Sequence, residues 1–286
     1  MELFEFNGRS FYIKRDDLTH PYLSGNKYRK LQTLLGIPSD TYNKIISYGG
    51  TQSNAMLALA SVAEMKGWQF DYYHRQRDSV IAQQAEKSNF SDAISLGMKP
   101  IKISDKAYDA IVDSGYHNLE EKVLFVPQGG ASDMAYKGIS CLAKEILEFQ
   151  EKNGLKNITV VTPSGTGTTA YFLARALPNN RVLTTAGVGN NEYLKLQMQK
   201  FGVLPKNLIL LPSEKKYHFA KPHKDLLAMY QQLKASGIEF DLLYAPKMWL
   251  ALRSNIDKDE IVLYVHSGGV SGNSSMLARY HRKGWL

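Results

Sequence analysis

The stretch NITVVTPSGTGTTAYFLARAL, residues 157–177, contains the repeating unit of the fold. Residues 157–162 are rich in β-branched side chains and read as a strand. Glycines and hydroxyls then make a turn, Ser164-Gly165-Thr166-Gly167-Thr168-Thr169. Residues 169–177 read as a helix. A strand, a glycine-rich turn and a helix in that order build a parallel sheet covered by helices. The expected class is α/β.

The same alternation extends outward from residue 43. Further strands are expected at 44–48, 69–73, 99–103, 123–126, 181–186, 207–211 and 260–266. Helical patterns fill 54–66, 134–152, 192–201, 224–235 and 274–282. In such folds, ligands sit beyond the carboxyl ends of the strands. Three more glycine-rich junctions stand at strand ends: Gly49-Gly50-Thr51-Gln52-Ser53-Asn54, Pro127-Gln128-Gly129-Gly130-Ala131 and His266-Ser267-Gly268-Gly269. One such junction is an ordinary tight turn or cap. Four of them indicate a site.

Composition narrows the function classes. The chain has 286 residues, with 35 Lys and Arg against 27 Asp and Glu, a formal charge of 35 − 27 = +8. With 44% hydrophobic and 22% charged residues it has ordinary globular composition, which excludes a disordered or fibrous chain. Basic clusters are short and scattered: Lys27 to Lys30, His74 to Arg77, His281 to Lys283. Nucleic-acid binding is not expected, because no basic block or recognition motif accompanies the charge. No apolar run is long enough to span a membrane. The first residues, MELFEFNGRSF, carry acids where a signal peptide needs basic and apolar ones, so a cytoplasmic protein is expected. The single Cys141 leaves no disulfide framework or cysteine zinc site, and it reads as a helix-core residue. His266 reads as a structural hydrogen-bonding residue, and no metal site is expected.

The 164–169 turn suits an anion, since glycines expose backbone N–H groups and a helix amino terminus adds positive potential. It lacks the Gly-Lys-Ser/Thr ending of a nucleotide-binding P-loop. Gly187-Val188-Gly189 begins a dinucleotide fingerprint, but residue 192 is Glu where the third glycine belongs. A terminal phosphate monoester fits the turn best. Upstream stand Lys14-Arg15-Asp16-Asp17-Leu18 and Ser24-Gly25-Asn26-Lys27-Tyr28-Arg29-Lys30-Leu31. Alone, Lys27 reads as an exposed lysine at a helix start. Together with a phosphate turn, a reactive lysine is what a pyridoxal phosphate enzyme requires.

The chain resembles the 1-aminocyclopropane-1-carboxylate (ACC) deaminase and D-cysteine desulfhydrase family. That family lies within the tryptophan-synthase-β-like, fold type II pyridoxal 5′-phosphate enzymes. The matching stretches are KRDDL (14–18), SGNKYRKL (24–31), GGTQSN (49–54), VPQGGAS (126–132), PSGTGTT (163–169), YAPKM (244–248) and HSGG (266–269). The resemblance implies that Lys27 is the Schiff-base lysine and moves the Cα proton. Asn54 would bond the cofactor's 3-hydroxyl. Gly165, Thr166, Gly167, Thr168 and Thr169 would hold the phosphate, and Ser267 would meet the pyridine nitrogen. Ser53 would face the substrate, with Gln52, Ser53, Asn54 and Ala55 supplying N–H groups to its carboxylate. Tyr244 would lie over the ring, and Tyr217 would be a second active-site tyrosine.

Three positions depart from the family pattern: Ala55 replaces a frequent His or Gln, Thr168 a Gly, and Ala245 the Glu of the ACC deaminases. The implied architecture has two domains with mostly parallel sheets. The larger domain combines 1–42 with 149–286, and the smaller, 43–148, closes over the substrate. A homodimer acting on a small amino acid is implied. The leading reaction is a D-cysteine desulfhydrase-like β-elimination giving pyruvate, ammonia and sulfide. ACC deamination, a β-replacement synthase and a non-catalytic amino-acid-binding member are the alternatives.

Overall fold

At the amino terminus, phenylalanines alternate with charged residues across Asn7-Gly8. In a computed structural model of the chain, this stretch forms an antiparallel hairpin of β1 (Glu2–Phe6) and β2 (Arg9–Lys14). Asn7 and Gly8 both have positive φ, 51° and 71°, as a two-residue turn of the favoured hand demands. The sequence reading begins its alternation at residue 43 and passes over this hairpin. The structure describes residues 1–76, 88–116 and 120–286. Arg77, the end of one basic cluster, lies outside them.

Each of the eight expected strands forms: β3 (Lys44–Tyr48), β4 (Gln69–Arg75), β5 (Met98–Ile103), β6 (Val123–Val126), β7 (Thr159–Val161), β8 (Val182–Thr184), β9 (Leu208–Leu210) and β10 (Val262–Val265). They divide into two sheets. The larger has the order β1-β2-β10-β7-β8-β9 and the smaller β5-β4-β3-β6, with every pair after the hairpin parallel.

Helices cover both. They are α1 (Gly25–Leu35), α2 (Asn54–Lys66), α3 (Asn89–Ser95), α4 (Asp105–Ser114), α5 (Ala135–Lys152), α6 (Thr168–Ala176), α7 (Asn191–Gln199), α8 (Lys224–Ala235), α9 (Ala245–Asn255) and α10 (Asn273–His281). The sequence reading lacks α3, α4 and α9. Their starts carry cap signals all the same: a reciprocal Ser88–Ser91 capping box, the Ser104 hydroxyl accepting from the Ala107 N–H, and Pro246 in the first turn.

The strands of the larger sheet are buried on both faces. Val161 and Tyr264 pack with Phe4, Phe11 and Trp249, while their neighbours Val160 and Leu263 pack with Ile139, Leu142 and Leu173 on the opposite side. The smaller sheet has its own core, in which Ile45 and Phe70 meet Leu57 and Ala60 of α2 and Leu31 and Leu34 of α1. The expected boundary between 148 and 149 falls inside α5, whose buried stripe of Ile139, Leu142, Ala143 and Ile146 belongs to the larger core. Cys141 lies off that stripe and is exposed, so it is not the helix-core residue the sequence suggests. Among the described residues, no helix is long and apolar enough to cross a membrane.

Candidate active site

The four glycine-rich junctions converge on one cavity of about 560 Å3, lined by Gly50, Gln52, Ser53, Asn54, Gln128, Gly129, Gly165, Thr166, Ser267 and Gly268 together with Lys27 and Tyr244. Two of these junctions meet because glycine lets backbone touch backbone. Gly25, at φ +62°, opens α1 against the strand end of β10: a Cβ there would lie 2.0 Å from the Ser267 carbonyl oxygen. The Asn26 N–H donates to that oxygen at 3.2 Å. The contact brings Lys27 and Ser267 to one wall.

Buried charge fixes α1 from below. Arg29 donates to both oxygens of Asp16 at 2.8 Å and to Glu145 of α5 at 2.6 and 2.8 Å. Asp16 is fully buried and is also met by Lys14 at 2.7 Å. Lys14 and Asp16 of KRDDL therefore form one network with Glu145 and the arginine of GNKYRKL that anchors the Lys27 helix, while Arg15 pairs separately with Asp17 and Glu2.

Lys27 Nζ donates to Asn26 Oδ1 at 2.8 Å. Burial lowers its pKa to about 8, opposed by the charge of Asp241. Asp241 is buried and accepts from the N–H groups of Leu243 at 3.1 Å and Tyr244 at 2.7 Å. Burial pushes its carboxyl up to about 6, against the pull of these donors and of Lys27. Asp241 thus sets the start of α9, where Tyr244 stands. The Tyr244 ring packs on Gly165, and a Cβ on Gly187 would come within 2.4 Å of it. The incomplete Gly187-Val188-Gly189 fingerprint therefore makes room for this ring.

In the 164–169 turn, Gly167 adopts φ +79°, and a Cβ there would strike Met198 at 2.3 Å. Thr166 and Thr168 hydroxyls lie 2.9 Å apart. Gly165 and Thr166 line the cavity, while Gly167, Thr168 and Thr169 stand behind them and open α6. Lys30 approaches from α1, donating to the Gly129 carbonyl at 3.0 Å and to Thr166 Oγ1 at 3.4 Å. It is buried, and both burial and the charge of Lys27 hold its pKa well below the ordinary lysine value. Sequence reasoning passes over Lys30 and Asp241. For Lys30 a signal exists in its i, i+3 spacing from Lys27, which puts both amines on one helix face.

At the end of β3, Ser53 caps α2: its Oγ accepts from the Ala55 and Met56 N–H groups, each at 3.2 Å. The Ser53 N–H donates to the Gly50 carbonyl. The expected donation of the Ser53 and Ala55 amides to a carboxylate therefore needs correction, since both serve the turn itself. The Ser53 hydroxyl proton and the N–H groups of Gln52 and Asn54 remain. Ala55 lines the cavity with its methyl group only.

Tyr217 needs the other correction. It lines a small pocket that shares Phe219, Ala220 and Leu243 with the cavity rather than the cavity itself, packs in the larger core and donates its hydroxyl to Asp225 of α8. His266 is buried, stacks on Phe240 at 4.6 Å and accepts from the Gly268 N–H, the structural part expected of it.

The cavity wall suits an anion. Among the described residues, Lys27, Lys30, Lys200 and Arg279 line it and no Asp or Glu does. Both amide atoms of Gln52 and the Thr169 hydroxyl are buried without partners. Orphaned polar groups of this kind call for a polar occupant. A phosphorylated pyridine carrying a carbonyl group fits: amines for the carbonyl and the phosphate, a glycine turn at a helix start, and the Ser267 hydroxyl for a ring nitrogen.

No family model matches the chain. Full-length relatives do. A putative ACC deaminase of Thermotoga maritima is 26% identical, covering 94% of this chain and 92% of its own length. The D-cysteine desulfhydrase of Serratia proteamaculans is 24% identical over 93% of this chain and 88% of its own. The chain is similar to the ACC deaminase and D-cysteine desulfhydrase family along almost its whole length. Its fold agrees with that of a crystallised ACC deaminase homologue, at a TM-score of 0.71 and 22% identity over 95% of this chain and 89% of the other.

Proposed function

We propose that this chain is a pyridoxal 5′-phosphate-dependent lyase acting on a small D-amino acid such as D-cysteine, releasing pyruvate, ammonia and sulfide. The observation that carries it is Lys27, an amine with its pKa lowered to about 8, opening into the same cavity as the Gly165 and Thr166 turn. Lys27, Asn54, Ser267 and the 165–169 turn would hold the cofactor, with the Lys30 amine as a further donor beside the phosphate, whose charge would favour its protonation. When bound, the cofactor supplies an electron sink for charge developing at the substrate Cα.

The protein's own groups do the rest. The Ser53 hydroxyl and the Asn54 N–H receive the substrate carboxylate. Lys27 Nζ takes the Cα proton, the Cβ–S bond breaks and sulfide leaves, and the released 2-aminoacrylate takes up one water to give pyruvate and ammonia. The Ser267 hydroxyl can donate to a neutral pyridine nitrogen but cannot hold it protonated as a carboxylate would. That arrangement favours elimination over transamination. Tyr244 covers one side of the cavity and helps exclude water.

ACC deamination is the second reading, favoured by the name of the Thermotoga relative. Its substrate has no Cα proton, so a carbon–carbon bond must break, and an acidic partner for the ring nitrogen helps. Ala245 stands where ACC deaminases carry Glu, and no acid among the described residues lines the cavity. Elimination is therefore the better fit. Parallel assays of sulfide, pyruvate and 2-oxobutanoate with both cysteine enantiomers and ACC decide it. Sulfide from D-cysteine with little 2-oxobutanoate is expected; efficient 2-oxobutanoate formation without sulfide reverses the choice.

The reading includes a cytoplasmic homodimer and closure of two lobes over the substrate. The smaller lobe would begin at residue 43, and α5 would travel with the larger lobe because its apolar stripe belongs to that core. Scattering profiles with and without cofactor test both the dimer and the closure.

A further inference from the structure

Asn89 belongs to no motif, yet its side-chain amide joins two of the glycine-rich junctions. It opens α3, is fully buried, and its backbone is fixed by the reciprocal Ser88–Ser91 capping box. Its Nδ2 donates to Asn54 Oδ1 at 2.7 Å and to the Gln52 carbonyl at 3.3 Å. Its Oδ1 accepts from Ser271 Oγ at 2.8 Å, in the loop after β10. One side chain thus ties the 52–54 turn of the smaller sheet to the HSGG loop of the larger.

The contacts determine which way both amides face. A carbonyl oxygen can only accept, so the Gln52 carbonyl requires the NH2 end of Asn89. Asn54 must then present its oxygen to Asn89, and its own NH2 group turns the other way. Gly269, at φ +83°, leaves the space for it: a Cβ there would lie 2.4 Å from Asn54 Nδ2. Reversing Asn54 would set its NH2 against the NH2 of Asn89, and reversing both would set two oxygens face to face at Gln52.

We infer that Asn89 is a positioning residue that holds Asn54 as a hydrogen-bond donor and latches the substrate-side turn to the Ser267 loop. The inference deepens the proposed function, on whose reading the Asn54 NH2 meets the cofactor's 3-oxygen. A fixed donor there stabilises the ionised oxygen.

Two measurements test it, one with cofactor and one without. With pyridoxal phosphate bound, the pH midpoint of the visible absorption band should rise in Asn54→Ala and rise similarly in Asn89→Leu. The double variant should shift no further than either single one, since both remove one donor. Affinity for pyridoxal phosphate should fall at least threefold in each. Without cofactor, the side-chain amide resonances of Asn54, assigned by their loss in Asn54→Ala, should move or broaden in Asn89→Leu. Ser271→Ala, which keeps both donations from Asn89, should give a smaller change of the same kind and serves if Asn89→Leu does not fold. Additive shifts in the double variant, or unchanged Asn54 resonances in Asn89→Leu and Ser271→Ala, overturn the inference. Failure of the wild-type protein to bind pyridoxal phosphate overturns the proposed function instead, and the resonances still decide the part played by Asn89.

Discussion

Lys27 owes its reactivity to two opposing effects at the scale of single residues. Burial favours the neutral amine, and Asp241 favours the charged one. With a pKa of about 8, roughly half the amines are neutral at pH 8, against about 0.3% for an ordinary lysine near 10.5. The folded value lies below the unfolded one, so the unfolded chain binds more protons between about pH 8 and 10.5. This group's contribution to stability accordingly rises with pH across that window. Asp241→Asn keeps an acceptor for the Leu243 and Tyr244 amides but removes the charge. The midpoint for cofactor attachment to the apoprotein, followed by absorbance against pH, should drop below that of the wild type. A midpoint that stays put or rises shows that Asp241 does not act on Lys27. Thr166→Asp should weaken pyridoxal phosphate binding by tenfold or more, because the new carboxylate would pair with Lys30 and repel the phosphate. Tyr244→Phe should leave that affinity nearly unchanged and act on turnover; equal losses in titrations of both variants would contradict the part given to the turn. Lys27 and the 164–169 turn are legible in the sequence because glycines, hydroxyls and lysines stand together there. Asp241 is not, since nothing in Glu239-Phe240-Asp241-Leu242 announces that the carboxylate folds inward onto backbone amides.

Among the elements, α1 carries the most consequence, and a buried polar network joins the apolar burial of Leu31 and Leu34 in setting its position. Arg29 and Asp16 meet with little access to solvent, and Glu145 closes the network from its exposed side. Removing one member of such a buried network leaves the rest uncompensated. Arg29→Met should cost about 3 kcal/mol, with Lys14 retaining part of the charge of Asp16. Denaturant unfolding checks it: a loss below about 1 kcal/mol would show that the network is dispensable. Parallel strands with continuous apolar runs are legible because both faces must be buried, as the alternate packing of Val160 and Val161 illustrates. The hairpin at Asn7-Gly8 carries a local signal of another kind, a turn dipeptide between alternating residues, which a strand–helix pattern does not capture. Helix α4 is short and offers mostly exposed side chains, with Tyr108 as its buried residue, so the apolar spacing of Ala107, Tyr108 and Ile111 is easily passed over.

The whole molecule gathers residues 27, 53, 128, 166, 244 and 267 around a single cavity. Such convergence follows from the parallel strands, which within each sheet place their carboxyl ends along one edge. Motif order makes most of the cavity wall legible. Tyr217 misleads because a tyrosine in the right part of the chain packs instead beneath the wall and bonds Asp225. Asn89 escapes notice for the opposite reason, as it works through Asn54 and carries no chemistry of its own. The central claim is that Lys27 is the amine that takes the cofactor. Reconstitution with pyridoxal 5′-phosphate, borohydride reduction and peptide mass mapping test it directly. The pyridoxyl group should be found on Lys27 in the wild type and should be lost in Lys27→Ala. Label on Lys30 or another lysine, or no label at saturating cofactor, would contradict it.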